Sequence, residues 1–155
     1  MSVAFRRESD EEHLAPKFER PIPAGPNLVT ARGLRLIGQR VAELEASIAG
    51  AHDPESVPSL QRELRYWQTR QVTAELVPAP SGEKVEFGTE VRFTLKGKPR
   101  TLRIVGDDEA APADGLISFN APLSRAMLGA RAGDLLPFGN VEEAIEVLSV
   151  SVPGE

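Results

Sequence analysis

The short segment His52-Asp53-Pro54-Glu55-Ser56 holds the residues of this 155-residue sequence that are best suited to binding a metal ion. Asp53 and Glu55 are separated by one residue and offer carboxylate oxygens, the ligands that hard divalent cations prefer. Two carboxylates do not fill the coordination shell of such an ion, so a partner would have to provide further oxygen ligands. The alternative interpretation is a solvated acidic turn, with His52 as an ordinary turn residue.

Pro58 indicates where the helix after this segment begins. If Asp53 were the N-cap, Pro58 would lie inside the helix and remove a backbone hydrogen bond. Pro58 also disfavours helical backbone angles at Val57. We therefore expect the helix to begin near residues 56–58, which leaves Asp53 and Glu55 free in the loop.

The segments on either side predict two helices that pack against each other. Thr30 is a suitable N-cap for the first helix, and Gly50 is a suitable stop. The apolar residues of both helices follow the alternating spacing of three and four that is typical of a coiled coil. They are Leu34, Ile37, Val41, Leu44 and Ile48 in the first helix, and Val57, Leu60, Leu64 and Trp67 in the second, continuing at Val72, Leu76 and Val77. The result is an antiparallel hairpin that reaches roughly 30 Å and carries the acidic turn at its end.

The chain divides into three parts on this interpretation. Residues 1–27 are rich in proline and charge and predict an extended or disordered arm, and residues 28–77 form the helical hairpin. Prolines and a glycine at 77–83 mark a boundary, after which residues 78–155 predict antiparallel strands and a short helix at Pro122–Leu128. The fold class is therefore α+β, and few contacts are expected to cross the boundary.

Composition narrows the classes of function. The contents of 41% hydrophobic and 26% charged residues are those of an ordinary globular protein, and cysteine is absent. No apolar run is long enough to span a membrane, and the first residues lack the apolar core of a secretory signal. Residues 78–155 contain 8 basic and 12 acidic side chains, which disfavours independent DNA or RNA binding and favours a basic protein surface as the partner.

No conventional enzyme site is evident in the sequence. It contains no nucleophile elbow, phosphate-binding loop or zinc-ligand spacing. The acidic cluster Gly106-Asp107-Asp108-Glu109-Ala110 lacks the ligand spacing of a calcium loop, so we interpret it as a solvated turn.

Residues 103–134 resemble the Gre family of bacterial transcript-cleavage factors, GreA and GreB. The similarity lies in four ordered motifs and extends, with the helical hairpin, over about residues 28–150. The motifs are Val105-Gly106-Asp107-Asp108-Glu109-Ala110, Gly115-Leu116-Ile117-Ser118, Asn120-Ala121-Pro122, and Ser124-Arg125-Ala126-Met127-Leu128-Gly129 with Gly133-Asp134.

This resemblance implies an FKBP-like C-terminal domain that docks at the rim of the secondary channel of RNA polymerase. The docking residues it implies are Asn120, Ala121, Pro122, Ser124 and Arg125. The hairpin would enter the channel, where the tip acids Asp53 and Glu55 would share a catalytic Mg²⁺ with the polymerase. The protein would then be a cytoplasmic bacterial monomer without a cofactor of its own, and not itself an enzyme.

The tip departs from the family pattern and leaves two hypotheses open. The family has D-x-x-E-N, so Glu55 lies one position early, and the hairpin is shorter by about three turns per helix, or ~15 Å. The first hypothesis is a factor that promotes cleavage of backtracked transcripts through Asp53 and Glu55. The second is a channel-binding regulator that docks without promoting cleavage. A prolyl isomerase rests on fold analogy alone, and the 5% aromatic content argues against its pocket.

Overall fold

The computed structural model describes residues 19–154 and begins its regular structure with a short strand and a long helix. Strand β1 is Leu28–Val29, and helix α1 is Ala31–Ala49. Thr30 is the N-cap of α1, because its side chain accepts a hydrogen bond from the Gly33 N–H at 2.9 Å. The helix ends at Gly50, whose N–H donates to Ala46 O, so both predicted ends are confirmed.

Helix α2 runs back from the turn to the start of α1. It spans Val57–Thr73 with a proline in its first turn, as the sequence predicts, and strand β2 follows at Glu75–Leu76. Strands β1 and β2 pair in parallel, Leu28 with Glu75 and Val29 with Leu76, which places the start of α1 beside the end of α2. Residues 50–56 therefore lie at the far end of the helix pair, and the 19 residues of α1 give it a length of roughly 28 Å.

The apolar spacing correctly predicts the buried face of α1 but not the whole of α2. Ile37, Val41 and Leu44 are buried, whereas Leu64 and Trp67 are only half-buried. The expected continuation at Val72 and Leu76 is wrong, because these side chains are 81% and 57% exposed. The fully buried residues of α2 are instead Tyr66 and Arg70, one turn apart. A residue two positions after Arg70 points to the opposite side of a helix, so Val72 faces solvent.

The second half of the chain forms a five-stranded sheet. The strands are β3 (Glu90–Leu95), β4 (Lys98–Val105), β5 (Leu116–Ser118), β6 (Leu135–Phe138) and β7 (Val141–Ser151), in the spatial order β5-β4-β3-β7-β6. Lys96 and Gly97 form the tight turn between β3 and β4 with positive φ angles of 52° and 83°, as type I′ hairpins require.

One strand pair corrects the prediction of a purely antiparallel sheet. Strand β5 runs parallel to β4, with Arg103 opposite Leu116 and Val105 opposite Ser118. A 3₁₀ turn at Pro112–Asp114 and a left-handed Gly115 lead the chain back to the start of the parallel pairing. The sheet is therefore mixed.

The short helix α3, Pro122–Met127, packs on this sheet. It starts with proline and is followed by Gly129 at φ +89°, as the sequence predicts. Met127 is fully buried with Val91, Phe93, Ile104 and Ile145 in the core of the sheet domain. The fold class, a mixture of helices and sheet, is confirmed. Within residues 19–154, no helix combines the length and apolarity that a membrane crossing would need.

Candidate functional site

The tip between α1 and α2 presents its acidic residues to solvent. Asp53 and Glu55 are exposed, as are His52 and Pro54. Asp53 is less free than the sequence suggests, because its Oδ1 accepts the Glu55 N–H at 2.9 Å and its carbonyl accepts the Ser56 hydroxyl at 2.9 Å. The tip is thus a hydrogen-bonded Asx turn, and the second oxygen of Asp53 and both oxygens of Glu55 face outward without a partner in the described structure.

These carboxylates fit Mg²⁺ only as part of a shared site. Mg²⁺ requires near-octahedral coordination at about 2.0–2.1 Å, and two side chains leave most of those positions unfilled. In the described part of the chain, no cluster of three or more acidic or histidine side chains is arranged to hold a metal ion. An ion at Asp53 and Glu55 would therefore need oxygen ligands from a partner.

At the opposite end of the hairpin, three consecutive acidic residues join the helices to the sheet domain. Asp107, Asp108 and Glu109 follow β4, and each binds a different part of the molecule. The prediction of a solvated turn is wrong here, because Glu109 is only 6% exposed and the Asp108 side chain is equally buried. Few contacts cross the boundary at 77–83, as expected, but those made by Asp108 and Glu109 are buried and polar. We call these residues the acidic triad.

Asp108 binds the second helix. Its Oδ2 accepts a hydrogen bond from Arg70 Nε at 2.5 Å, and its Oδ1 accepts one from the Tyr66 hydroxyl at 2.5 Å. Arg70 is 2% exposed and also donates to Asn27 Oδ1 at 2.8 Å, so its buried charge is paired and hydrogen-bonded. Burial, followed by the hydrogen bond to Asp108, raises the pKa of Tyr66 to about 12.

Glu109 binds the first helix at its N-terminus. Its carboxylate accepts from the Thr30 hydroxyl at 2.6 Å and from Arg32 at 2.9 Å. Thr30 therefore caps α1 and contacts the sheet domain with the same side chain. Two glycines permit this close approach: a Cβ at Gly33 would lie 2.9 Å from Glu109 Oε1, and a Cβ at Gly106 would overlap the Leu28 carbonyl oxygen.

Asp107 binds the segment before α3. Its Oδ1 accepts from the Ser118 hydroxyl at 2.5 Å, and the Asn120 amide donates to both carboxylate oxygens at 3.3 Å. Ser118 Oγ also accepts the Asn120 N–H at 3.0 Å, which fixes the turn leading into the helix. The acidic triad thus connects both helices of the hairpin to the segment that the family resemblance assigns to docking.

The predicted docking residues differ in their accessibility. Pro122 and Arg125 are exposed, and Asn120 and Ala121 are half-buried. Ser124 is fully buried and donates its hydroxyl to Ser118 O at 2.7 Å, so it holds the helix in place rather than facing a partner.

A further exposed residue lies directly after α3. Leu128 was not selected in the sequence analysis, and it is 42% exposed. Pro122, Arg125 and Leu128 form what we call the α3 face.

The predicted N-terminal arm is partly described. Residues 1–18 lie outside the described residues, whereas residues 19–27 contact α2. Glu19 accepts two hydrogen bonds from Arg65 at 2.7 Å, and these lower the pKa of Glu19. The Arg20 guanidinium lies over the Tyr66 ring, 3.9 Å from its centroid, and Asn27 donates to Arg70 O at 2.8 Å. This part of the arm is therefore packed along the helix.

Three residues of this region were missed by sequence reasoning. Asn27, Tyr66 and Arg70 are buried in one hydrogen-bonded group at the base of the hairpin. Tyr66 and Arg70 are four positions apart, so they lie on the same side of α2. The apolar series of α2 is also interrupted here, because Gln71 stands where the next apolar residue after Trp67 would fall. These two features of the sequence indicate that a polar face is buried at this point.

Comparison with known proteins agrees with this architecture. The model of the family described as transcription elongation factor, GreA/GreB, C-term matches residues 79–151. GreA of Pseudomonas putida is 33% identical over 156 residues, covering 95% of this chain and 94% of that protein. The chain belongs to the GreA/GreB family of transcription elongation factors. The family's C-terminal model covers β3 to β7 and α3, whereas the match to the Pseudomonas protein also includes the hairpin of this Gre-family chain.

Other relatives are matched over a smaller part. GreA of Thermomicrobium roseum is 35% identical over 100 residues, which is 63% of this chain and 62% of that protein. The crystal structure of GreA factor homolog 1 (Gfh1) of Thermus thermophilus aligns over 81% of this chain and 99% of its own, at 17% identity and a TM-score of 0.37. The chain thus spans less than two thirds of the length of the first of these relatives.

Proposed function

We propose that this protein is a regulator of bacterial RNA polymerase that docks through its sheet domain and places its hairpin in the secondary channel. Membership of the GreA/GreB family supports the partner, and the helix pair provides a projection of roughly 28 Å with an exposed tip. The sheet with α3 packed on it is the FKBP-like domain, and the two helices are the short coiled coil. The protein acts from the cytoplasm as a monomer and needs no cofactor of its own.

The α3 face supports the docking part of the proposal. Pro122 and Arg125 are exposed on α3 and Leu128 is exposed directly after it, which gives an apolar contact with a single positive charge. The preceding Asn120 is held by Asp107, so the docking segment is ordered before binding. Arg125 would contact an acidic group at the channel rim.

Channel occupancy without cleavage is the mode of action that the tip supports best. The observation that carries it is the geometry of Asp53, whose Oδ1 already accepts the Glu55 N–H across Pro54, in a short turn that Pro58 follows in the first turn of α2. A hairpin about 15 Å shorter than the family pattern would hold these acids away from a metal in the polymerase active centre, since Mg²⁺ requires ligands at about 2.0–2.1 Å. The protein would then compete with cleavage-promoting factors for the channel.

Stimulation of transcript cleavage is the second candidate. It is favoured by the exposure of both tip carboxylates, whose outward oxygens are available to complete a shared Mg²⁺ site. Under this alternative, Asp53 and Glu55 add negative charge beside a metal that the polymerase already holds.

A cleavage assay on a stalled, backtracked polymerase complex separates the two candidates. We expect the wild-type protein to leave the transcript uncleaved while reducing the cleavage caused by an added GreA. Asp53→Asn with Glu55→Gln should compete equally well, because amides keep the shape of the tip. Glu45→Gln, an exposed acid on α1, is the matched control.

Two outcomes would contradict the proposal. Cleavage by the wild-type protein that is lost in the double variant would establish the second candidate. Competition that is unaffected by Arg125→Glu, compared with the exposed control Arg131→Glu, would mean that docking does not use the α3 face.

A further inference from the structure

A cavity of about 330 Å³ lies where the hairpin, the linker after it and the sheet domain meet. Its walls are largely apolar and come from parts of the chain that are distant in sequence. They include Leu76, Pro78, Pro80, Phe87, Val152 and Pro153. The volume lies at the lower end of the range for pockets that bind small molecules, about 300–1,000 Å³. We call it the linker pocket.

Backbone contacts fix the walls of the linker pocket. The Val77 N–H donates to Val29 O at 3.0 Å, and the Gly88 N–H donates to Ile104 O at 2.9 Å. Pro80 packs so closely on Gly88 that a Cβ there would lie 3.2 Å from the proline ring, and Gly88 has a positive φ of 92°. The pocket is therefore formed before any ligand binds, which lowers the entropic cost of binding.

Two arginines give the pocket its charge. Arg32 is paired with Glu109 at 2.9 Å, and that carboxylate also accepts the Thr30 hydroxyl. Arg103 is held through its backbone N–H, which donates to Gly115 O at 2.8 Å, but its guanidinium has no hydrogen bond or ion pair within residues 19–154. Glu90 lies opposite Arg103 in the ladder between β3 and β4, but no carboxylate of residues 19–154 is hydrogen-bonded to the guanidinium, so its donors are available to an anionic ligand.

The surroundings of Arg103 limit the charge of a ligand. On its other side Arg103 borders a second groove that contains Glu90 and Asp114. These carboxylates would repel a second or third negative charge on a bound molecule. A nucleotide or another polyphosphate is therefore disfavoured, whereas a single carboxylate or sulfonate would meet the guanidinium while its apolar body contacts Phe87 and the prolines.

We propose that the linker pocket binds a small molecule with one negative charge and an apolar, preferably aromatic, body. Arg103 would bind the anionic group, and the apolar walls would bury the rest of the molecule. A ligand here contacts the first residues of α1, the linker and the sheet domain together. It would therefore stabilise the junction between hairpin and sheet, increasingly so as the ligand concentration rises above its Kd.

The experiment uses 8-anilino-1-naphthalenesulfonate, a fluorescent aromatic monoanion, as the probe for the full-length protein. We expect saturable binding of one probe per chain, competed by phenylacetate and not by inorganic phosphate. Arg103→Gln should weaken binding by about tenfold or more, because it removes a charge-assisted hydrogen bond. Arg100→Gln, an exposed position on the same strand, should bind as the wild type does.

A second variant tests the place of binding independently of charge. Ala79→Phe adds an aromatic ring to an exposed residue that lines the pocket, so it should also weaken binding by about tenfold or more. The unfolding midpoint of each free variant is measured alongside, and a midpoint equal to that of the wild type assigns the loss to the pocket. Probe binding equal to wild type in both variants would overturn the proposal, as would equal affinity for the uncharged N-phenyl-1-naphthylamine.

Discussion

Arg70 Nε donates to Asp108 Oδ2 at 2.5 Å and thereby joins the second helix of the hairpin to the turn that follows β4. The two side chains are 2% and 6% exposed, so the pair is buried between the two halves of the molecule. Asp107 beside it binds Ser118 and Asn120 in the segment before α3. The orientation of the hairpin therefore depends on Asp108, and the conformation of the docking segment depends on Asp107, the residue directly before it.

Removing one partner of the buried pair should destabilise the whole protein. Asp108→Ala leaves the Arg70 charge buried without its main partner, so we expect the free energy of unfolding to fall by roughly 3–5 kcal/mol. Urea unfolding followed by circular dichroism measures this change. Glu142→Ala, at an exposed acid of β7, is the control, and an equal effect of both substitutions would contradict the importance of the pair.

Tyr66 should make stability depend on pH in the alkaline range. Its pKa is raised from 10.0 to about 12 in the folded protein, so the folded state holds this proton more tightly than the unfolded state. The associated stability is fully present below pH 10 and is lost as the pH rises towards 12. Tyr66→Phe removes this contribution, so the stability gap between wild type and variant should narrow from pH 9 to pH 12. A gap that is constant over this range would contradict the assignment.

Leu44→Ala tests the packing of the hairpin. Leu44 is 2% exposed on the face of α1 that packs against α2, so the substitution should cost roughly 2–5 kcal/mol. The fluorescence of Trp67, half-buried on α2, reports the loss during unfolding. Because the acidic triad ties the hairpin to the sheet domain, circular dichroism and fluorescence should change together. Val72→Ala, at an 81% exposed position of α2, should change stability by less than about 0.5 kcal/mol.

Gly106→Ala tests the close approach of the hairpin base to the sheet. A Cβ at this position would overlap the Leu28 carbonyl oxygen, which is backbone and cannot rotate away. We expect β1 to be displaced and the free energy of unfolding to fall by about 1–3 kcal/mol, as for other overpacked sites. Gly154→Ala is the control, because a Cβ at this position would meet no atom within 4 Å and should leave the free energy of unfolding unchanged. Gly97→Ala is unsuitable because Gly97 has a positive φ, which strains any other residue. Equal stability of both variants would contradict the close contact.

The sequence by itself determined the elements whose causes are local. Thr30 and Gly50 delimit α1, and Pro122 with Gly129 delimits α3, because caps and breakers act within one turn of the backbone. The motifs between residues 103 and 134 were sufficient to recognise the family, and the turn at Asp53 and Glu55 was correctly placed at the exposed end of the helices.

Only the tertiary structure decided which polar residues are buried. Arg70 and Asp108 are 38 positions apart, and Thr30 and Glu109 are 79 positions apart, so no local pattern relates them. A run of acidic residues in a sequence is usually solvated. The acidic triad is instead part of a buried junction, because folding brings a cation or a hydroxyl to each of its carboxylates. The parallel pairing of β5 and the burial of Ser124 have the same origin, since both depend on where distant strands are placed.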